Sequence, residues 1–337
     1  MAGAKRQGGT AAQAHLLHPA SRWSADPETL LKTLGPPRVS VIIPHFNTPE
    51  LLVKCLQSVA AQTLDDGWFE IIVVDNGSRL PMRLLEATWP GVRFLIERQK
   101  GPGPARNTGV KAARADILAF VDADVRVAPG WLKAGLKAVG RKPLALFGGD
   151  VRIDVEDRKH MTDVEAFESV FSFRQKSYIN KSHYSVTANL IMTRTVFDRV
   201  GPFDGIDKPE DRAFGERAYA MGIRTRYAPR MLAFHPARRD GDDIRRKFGR
   251  VAHQGFTRHV GRGKPLILWE ARACAMAVSG LAHAPMMLFS RRVTGIGNRS
   301  RGLRLLMQLR WQRALDMLEM ARKARAGDQM ALVNWNS

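Results

Sequence analysis

The chain has 337 residues, 45% of them hydrophobic and 25% charged. It can bury a substantial core, so neither disorder nor a disulfide-stapled mini-fold is needed to explain it. Lys and Arg total 53 against 32 Asp and Glu, a formal +21 at pH 7 that favours anionic partners. Two distant cysteines, Cys55 and Cys274, argue against a disulfide framework and suit a reducing compartment.

Residues 1–37 lack the apolar stretch of a secretory signal and read as a flexible tail with one short helix at Pro27–Leu34. Val39–Ile43 is a β-branched run closed by Pro44. Asn47-Thr-Pro-Glu50 reads as a helix start, with a capping side chain, Pro in the first turn and Glu three residues on. Leu51, Leu52, Cys55, Leu56, Val59 and Ala60 then recur at helical spacing. Ile71–Val74 is a second strand, Leu84–Trp89 a weak helix and Val92–Ile96 a third strand. Ala105–Ala113 is a helix after a Gly/Pro turn, and Ile117–Val121 is a fourth strand. Trp131–Val139 is helical and Ala145–Gly149 strand-like. Residues 152–184 are mixed, with helices and a mobile loop. Val186–Thr193 reads as a strand, Asp211–Met221 as a helix, and Arg224–Ala228 and Met231–Phe234 as two short strands.

Strand–helix alternation with continuous apolar strands predicts a mainly parallel sheet covered on both faces. Ligands in such sheets collect at the carboxyl ends of the strands. The polar residues there are His45, Phe46 and Asn47, then Asp75, then Asp122 and Asp124. Two carboxylates two positions apart can both reach a hard divalent cation together with diphosphate oxygens. Asp122-Ala-Asp124 also reads as a solvated turn. The loop Gly101–Gly109 opens a helix whose backbone N–H groups attract phosphate. Arg106 within it can bind a phosphate oxygen or a carboxylate. The loop is neither a GxGxxG nor a Walker A motif. Asp75 is either a turn former or an acceptor for a base N–H, with Phe46 placed to stack on that base. Glu210-Asp211 is either an acidic helix start or a general base for an incoming hydroxyl. His235 is a metal ligand or a satisfied structural histidine.

Together these segments resemble family 2 glycosyltransferases over about Val39–Pro236. VSVIIPHFN looks like the family's opening strand, EIIVVDNGS its base-binding strand, GPGPARNTGV its phosphate-side loop and ILAFVDADV its metal strand. TANLIMTRTVFDRVGPFD is similar to the acceptor-side strand, and PEDRAFGERAYAMGIRTRYAPRMLAFHP to the catalytic block. The resemblance implies an α/β, GT-A-type (Rossmann-like) fold: a mainly parallel sheet flanked by helices, with a basic helical C-terminal extension. The catalytic domain would span 38–237, with a nucleotide-binding half at 38–150 and an acceptor half at 151–237. Nucleotide-sugar contacts are implied at Pro44, Phe46, Asn47, Asp75, Gly101, Arg106, Asp122 and Ala123. Sugar or acceptor contacts are implied at Thr187, Asn189 and Arg217. Asp122, Asp124 and His235 would hold Mg²⁺ or Mn²⁺, and Asp211 would be the base, supported by Glu210.

The implied reaction moves one sugar, with inversion, from a nucleotide-diphosphate donor (UDP-linked by resemblance) to a hydroxyl of a lipid-linked or glycan acceptor. Phe46 stands where the family often has Tyr, and Thr187-Ala188-Asn189 replaces a frequent Gly-Ala-Asn. The processive QxxRW motif is missing, since Gln308–Trp311 is one residue short; this speaks for one sugar per event. A nucleotidylyltransferase on a similar fold would need a Gly-rich, Lys/Arg-bearing loop where Pro44–Asn47 stands. A non-catalytic relative would have lost Asp124 or Asp211, and both are present.

From 238 to 337 the composition shifts to 20 Lys/Arg against 7 Asp/Glu. Ala273–Phe289 is an apolar run of 17 residues containing His283 and Pro285, at the lower edge of the length that spans a bilayer. Arg299, Arg301, Arg304, Arg310 and Arg313, interleaved with Leu303, Leu306, Leu309, Leu315 and Met317, read as a basic amphipathic helix on a membrane surface. A solvated helix packed on the catalytic domain is the other reading. The expected setting is cytoplasmic, peripheral on the anionic inner face of the plasma membrane. Nucleic acid is not an expected partner, because no zinc-type or aromatic-interleaved module accompanies the charge.

Overall fold

The computed structural model describes Trp23 and residues 26–64, 68–80, 82–206, 209–238 and 240–327. The flexible-tail expectation for residues 1–22 lies outside the described residues. Trp23 is buried: it packs on Phe69 at 5.3 Å, and its indole N–H donates to the Ala60 carbonyl at 3.2 Å.

In chain order the elements are α1 (Pro27–Leu34), β1 (Val39–His45), α2 (Pro49–Ala60), β2 (Phe69–Asp75), α3 (Arg83–Thr88), β3 (Arg93–Ile96) and α4 (Pro102–Ala112). Then come β4 (Ile117–Val121), β5 (Arg126–Val127), α5 (Trp131–Arg141), β6 (Leu146–Asp154), α6 (Asp163–Phe171), α7 (Gln175–Ser182), β7 (Asn189–Thr193) and α8 (Arg194–Val200). Last are α9 (Glu210–Ala220), β8 (Thr225–Pro236), α10 (Gly241–Gly261), α11 (Leu266–Leu288) and α12 (Ile296–Arg325). The chain divides into two compact units, one running up to Arg152 and adding Arg174–His235, the other comprising Ile153–Phe173 and the chain from Pro236 onward.

The first unit holds an eight-stranded sheet in the order β3-β2-β1-β4-β7-β6-β8-β5. The strands β3, β2, β1 and β4 are mutually parallel, as expected from the strand–helix alternation. The remainder is mixed, with β7 antiparallel to β4 and β6, and β5 antiparallel to β8. Both faces are covered. Val39, Val41 and Ile43 of β1 join Phe69, Ile71 and Val73 of β2 in one core with Leu52, Leu56, Trp131 and Leu132 from α2 and α5. Ile42, Leu118 and Phe120 face the other way, onto Val110, Phe197 and Phe214 of α4, α8 and α9. Period-two side-chain alternation thus feeds two apolar layers, which is why the strands read as unbroken apolar runs.

Three local expectations are corrected. The cap of α2 is Thr48, which makes no side-chain cap bond, while Asn47 sits in left-handed backbone (φ 55°). The two short strands expected at 224–234 form one strand, β8. The two-residue β5 was not expected, being too short to carry a periodic signal.

The second unit is helical, with α6 and α10–α12. Leu305, Leu306 and Leu309 of α12 pack with Val164, Phe167 and Ile244. Phe256, Trp269 and Ala273 pack with Met317 and Ala321, and Ala166 and Val170 with Met287 and Val293. Leu306, Leu309 and Met317, read from sequence as a membrane-facing stripe, are therefore core residues of this unit. Among the described residues no helix is long and apolar enough to cross a membrane.

Candidate active site

Parallel register sets His45, the last residue of β1, directly opposite Asp75, the last of β2. His45 Nδ1 lies 3.1 Å from Asp75 Oδ1, and its Nε2 accepts the Thr48 N–H at 3.1 Å. Nε2 is therefore the bare nitrogen, so Nδ1 carries the proton and donates to the carboxylate. The Ser78 hydroxyl donates to Asp75 Oδ1, and the Ser78 N–H to Oδ2 at 3.1 Å. Asp75 is thus clamped and mostly buried. Phe46 beside it is exposed at 57%, free to offer a ring face to a ligand. Asn47 ties the two loops: its Oδ1 accepts from Arg79 N–H at 2.8 Å, and its own N–H donates to the Ser78 hydroxyl at 2.9 Å.

The Gly101 loop differs from a phosphate cradle. The Gly101 N–H donates to Asn76 Oδ1 at 2.7 Å, and Pro102 and Pro104 have no N–H. Gly103 alone supplies an amide donor among the first three residues of α4. Gly101 holds φ 121°, and a Cβ at Gly103 would stand 2.0 Å from the Asp204 carbonyl oxygen. Gly103 serves that close approach of backbones, and Gly101 supplies the positive φ of the turn before it.

Arg106 points inward instead of toward an open loop. It is 2% exposed, and its fork bridges Asp122 Oδ1 at 2.6 Å and Glu210 Oε1 at 2.9 Å. Its Nε–H finds no partner among the described residues. The bridge joins the start of α4, the end of β4 and the start of α9, which lie up to 104 residues apart. Glu210 and Asp211 begin α9 without a side-chain cap. Burial first, and then the neighbouring Glu210 charge, push the Asp211 carboxyl up to about 6; the Arg212 N–H and the Arg106 guanidinium oppose this. Tyr184 is a further neighbour of Asp211. Its phenol is pushed up to about 12 by burial and by the nearby Tyr178 and Asp211, and the Tyr178 ring stacks on it at 5.4 Å.

The antiparallel pairing of Arg126 with Phe234 sets the chain after β4 beside the end of β8. His235 Nε2 then lies 3.4 Å from Asp124 Oδ2. Burial raises the Asp124 carboxyl, the Asp122 charge adds to this, and His235 opposes it. The expected three-ligand set is not assembled: no group of three His, Cys, Asp or Glu among the described residues converges to hold an ion. Asp122 is turned to Arg106, which leaves Asp124 and His235. Such a pair, a half-buried carboxylate beside an imidazole, suits a divalent cation whose other ligands come from a bound diphosphate. Ala123 is buried at 4% and can contribute through its backbone alone. Cys55 donates its thiol to the Asp122 carbonyl at 3.5 Å. Burial, with the Asp124 and Asp122 charges, lifts its thiol far above the usual range, so it stays neutral.

The three residues expected at the sugar have structural surroundings of their own. Asn189 is fully buried, and its amide is spent: Oδ1 accepts from Trp131 Nε1 at 2.8 Å, while Nδ2 donates to the Asp150 and Met231 carbonyls at 2.9 and 2.8 Å. It cross-links strands. Thr187 is 3% exposed. Arg217 clamps the turn after α8, pairing with Asp204 and donating to the Pro202 carbonyl. Residues missed from sequence are His45 and Ser78 as clamps of Asp75, Asn76 as the tie to Gly101, and Tyr184 beside Asp211. Their signal is spatial. A cavity of about 670 Å³ between α5 and the first half of β8, lined by Lys137, Arg141, Arg226 and Arg230, includes none of the site residues.

With this geometry, a sheet-end cluster of carboxylates around a buried guanidinium, comparison places the chain among sugar-transferring enzymes. Residues 40–201 match the model of glycosyl transferase family 2. Glycosyltransferase AglE of Haloferax volcanii is 33% identical over 218 residues, 63% of this chain and 71% of that protein. The pre-mycofactocin glycosyltransferase of Mycobacterium tuberculosis is 30% identical over 243 residues, 68% of this chain; the chain spans about half the length of that relative (50%). A solved structure, GalNAc-T7 with UDP, GalNAc and Mn²⁺, superposes with a TM-score of 0.47 at 15% identity, over 60% of this chain and 44% of that one. The chain belongs to the family 2 glycosyltransferases and is a glycosyltransferase enzyme.

Proposed function

We propose that the enzyme transfers a single sugar, with inversion, from a nucleoside-diphosphate sugar (UDP-linked on the family resemblance) to a hydroxyl of a lipid-linked or glycan acceptor, working peripherally at an anionic membrane face. The observation that carries this reading is the Asp122–Arg106–Glu210 bridge, which fixes the strand-end carboxylates and the start of α9 as one unit. Asp75, oriented by His45 and Ser78, accepts from the base N–H, and Phe46 lies against the base face. Asp124 and His235 would hold Mg²⁺ or Mn²⁺, which when bound offsets the charge of the leaving diphosphate. Asp211, with its carboxyl near 6, is ionised at neutral pH yet basic enough to accept a proton in the transition state. It takes the acceptor hydroxyl proton as that oxygen bonds to the anomeric carbon from the face opposite the breaking C–O bond. The diphosphate leaves with the bond's electron pair. Arg106, with its fork on Asp122 and Glu210, acts as a positioning residue.

The test is nucleoside diphosphate release from a panel of nucleotide sugars, with and without Mn²⁺. One donor turned over in a metal-dependent way, with the product anomer inverted, is expected. Release independent of metal with every donor, or retention of configuration, overturns the proposal.

A further inference from the structure

The helix α11 carries an apolar face that nothing among the described residues covers. Its inner side is accounted for: Trp269 and Ala273 pack with Phe256, Met317 and Ala321, Gly280 faces Met307 of α12, and Met287 packs with Ala166 and Val170 of α6. On the outer side Ile267 is 61% exposed, Leu268 57%, Val278 64%, Leu281 69% and Phe289, just past the end, 83%. Ala271, Cys274, Ala275, Ala282, Pro285 and Leu288 are exposed between them. Positions 267, 271, 274, 278, 281, 285 and 288 recur at alternating steps of four and three, a straight stripe along one helix face. Patches of this extent on soluble proteins mark an interaction surface.

Charge selects the occupant. Arg262 and Lys264 precede the helix, Arg272 lies on the exposed face, and Arg291 and Arg292 follow it. The one carboxylate of the helix, Glu270, is paired with Arg325. Both ends of the stripe are therefore cationic. A second copy of the chain would bring like charges together whether the helices met parallel or antiparallel. An anionic lipid surface complements both ends at once. The helix lacks the apolarity to cross a bilayer, and an apolar face flanked by basic residues suits the interfacial plane.

We infer that the outer face of α11, with Val278 and Leu281 at its centre and Arg272, Arg291 and Arg292 around it, inserts into the headgroup region of an anionic bilayer. This deepens the membrane-face part of the proposed function and adds a contact on α11 to the basic helix α12, whose Leu305, Leu306 and Leu309 are core while Leu315 stays exposed. It does not depend on the sugar-transfer chemistry.

The test uses the whole protein and sedimentation with vesicles of equal parts phosphatidylglycerol and phosphatidylcholine. Val278→Asp with Leu281→Asp, both at exposed positions, is expected to lower partitioning by at least about tenfold while circular dichroism and nucleoside diphosphate release in detergent-free buffer stay unchanged. Cys274 is exposed and Cys55 buried, so a polarity-sensitive thiol dye reports from the stripe itself and should shift to the blue on adding these vesicles. Wild-type partitioning that the double variant retains, or complete release by high salt with no dye shift, overturns the inference in favour of simple electrostatic adsorption. A concentration-dependent dimer abolished by the double variant overturns it in favour of a second copy. Wild-type protein that partitions and loses partitioning in the double variant, yet releases no diphosphate from any donor, would count against the transferase proposal and leave this one standing.

Discussion

Asp211 is where local chemistry and stability pull in opposite directions. Its carboxyl ionises near 6 in the folded chain against an ordinary 3.8. The folded state therefore holds this proton more tightly than the unfolded state. The stability that this contributes is present below the ordinary carboxylate range and lost as pH climbs to about 6. Above that the ionised group is a standing cost of at most about 3 kcal/mol, at 1.36 kcal/mol per pH unit. Asp211→Asn removes both the charge and the base. Turnover should fall ~10²–10⁴-fold, and the thermal midpoint at pH 7 should rise, as calorimetry would register. In the wild type kcat should decline as pH drops through about 6, because the protonated base cannot accept a proton. A variant that keeps wild-type turnover, or a rate flat down to pH 5 in a folded enzyme, would remove Asp211 from the base role. At Asp75 the sequence marks a strand-end acid, while only the parallel register explains why His45 and Ser78 orient it.

Elements are joined at the site by two buried polar knots. In Arg106→Met the long apolar stem keeps its volume, but Asp122 and Glu210 lose the cation that holds them. Breaking a buried pair by removing one partner costs about 3–5 kcal/mol. Denaturant titration should show that loss, together with reduced kcat at little-changed donor KM, since α9 and its Asp211 are no longer anchored to β4. In Asn189→Ala the Trp131 indole and the Asp150 and Met231 carbonyls are left without their partner, at about 1–3 kcal/mol for each orphaned group. Here the folded fraction should keep its kinetic constants; a selective rise in acceptor KM would restore the sugar contact that the resemblance implied for Asn189. The strands themselves were readable, because burial on both faces makes β1, β2 and β4 continuous apolar runs. β5 was not, since its two residues are ordered by pairing with β8 and not by any pattern of their own.

For the whole molecule the two units carry separate apolar clusters. Trp269 is 2% exposed, packs on Phe256 at 5.2 Å, and its indole donates to the Met317 carbonyl at 3.0 Å. Trp269→Ala should therefore cost about 3–5 kcal/mol within the helical unit. Hydrogen exchange should show the loss in α10–α12 while β1, β2 and β4 keep their protection. Uniform loss of protection across the chain would mean that the units unfold as one. Ile153–Phe173 belongs to the helical unit although it lies between two parts of the sheet unit. Its membership depends on Val164 and Phe167 meeting Leu305 and Leu306, a pairing across some 140 positions that no local pattern announces.

Sequence alone determined the α/β class, the parallel strands and the carboxylates at their ends, because side-chain periodicity and strand-end polarity are local properties of the chain. It also carried the family, through motifs in a fixed order. Tertiary structure decided which polar groups are spent and which are open. Arg106 turns to two acids, Asn189 and Arg217 become structural ties, and Leu305, Leu306 and Leu309 of α12 go inside while the apolar stripe of α11 stays out. The reason is physical: a side chain's availability is set by what other segments bring against it, and those partners lie tens to hundreds of residues away.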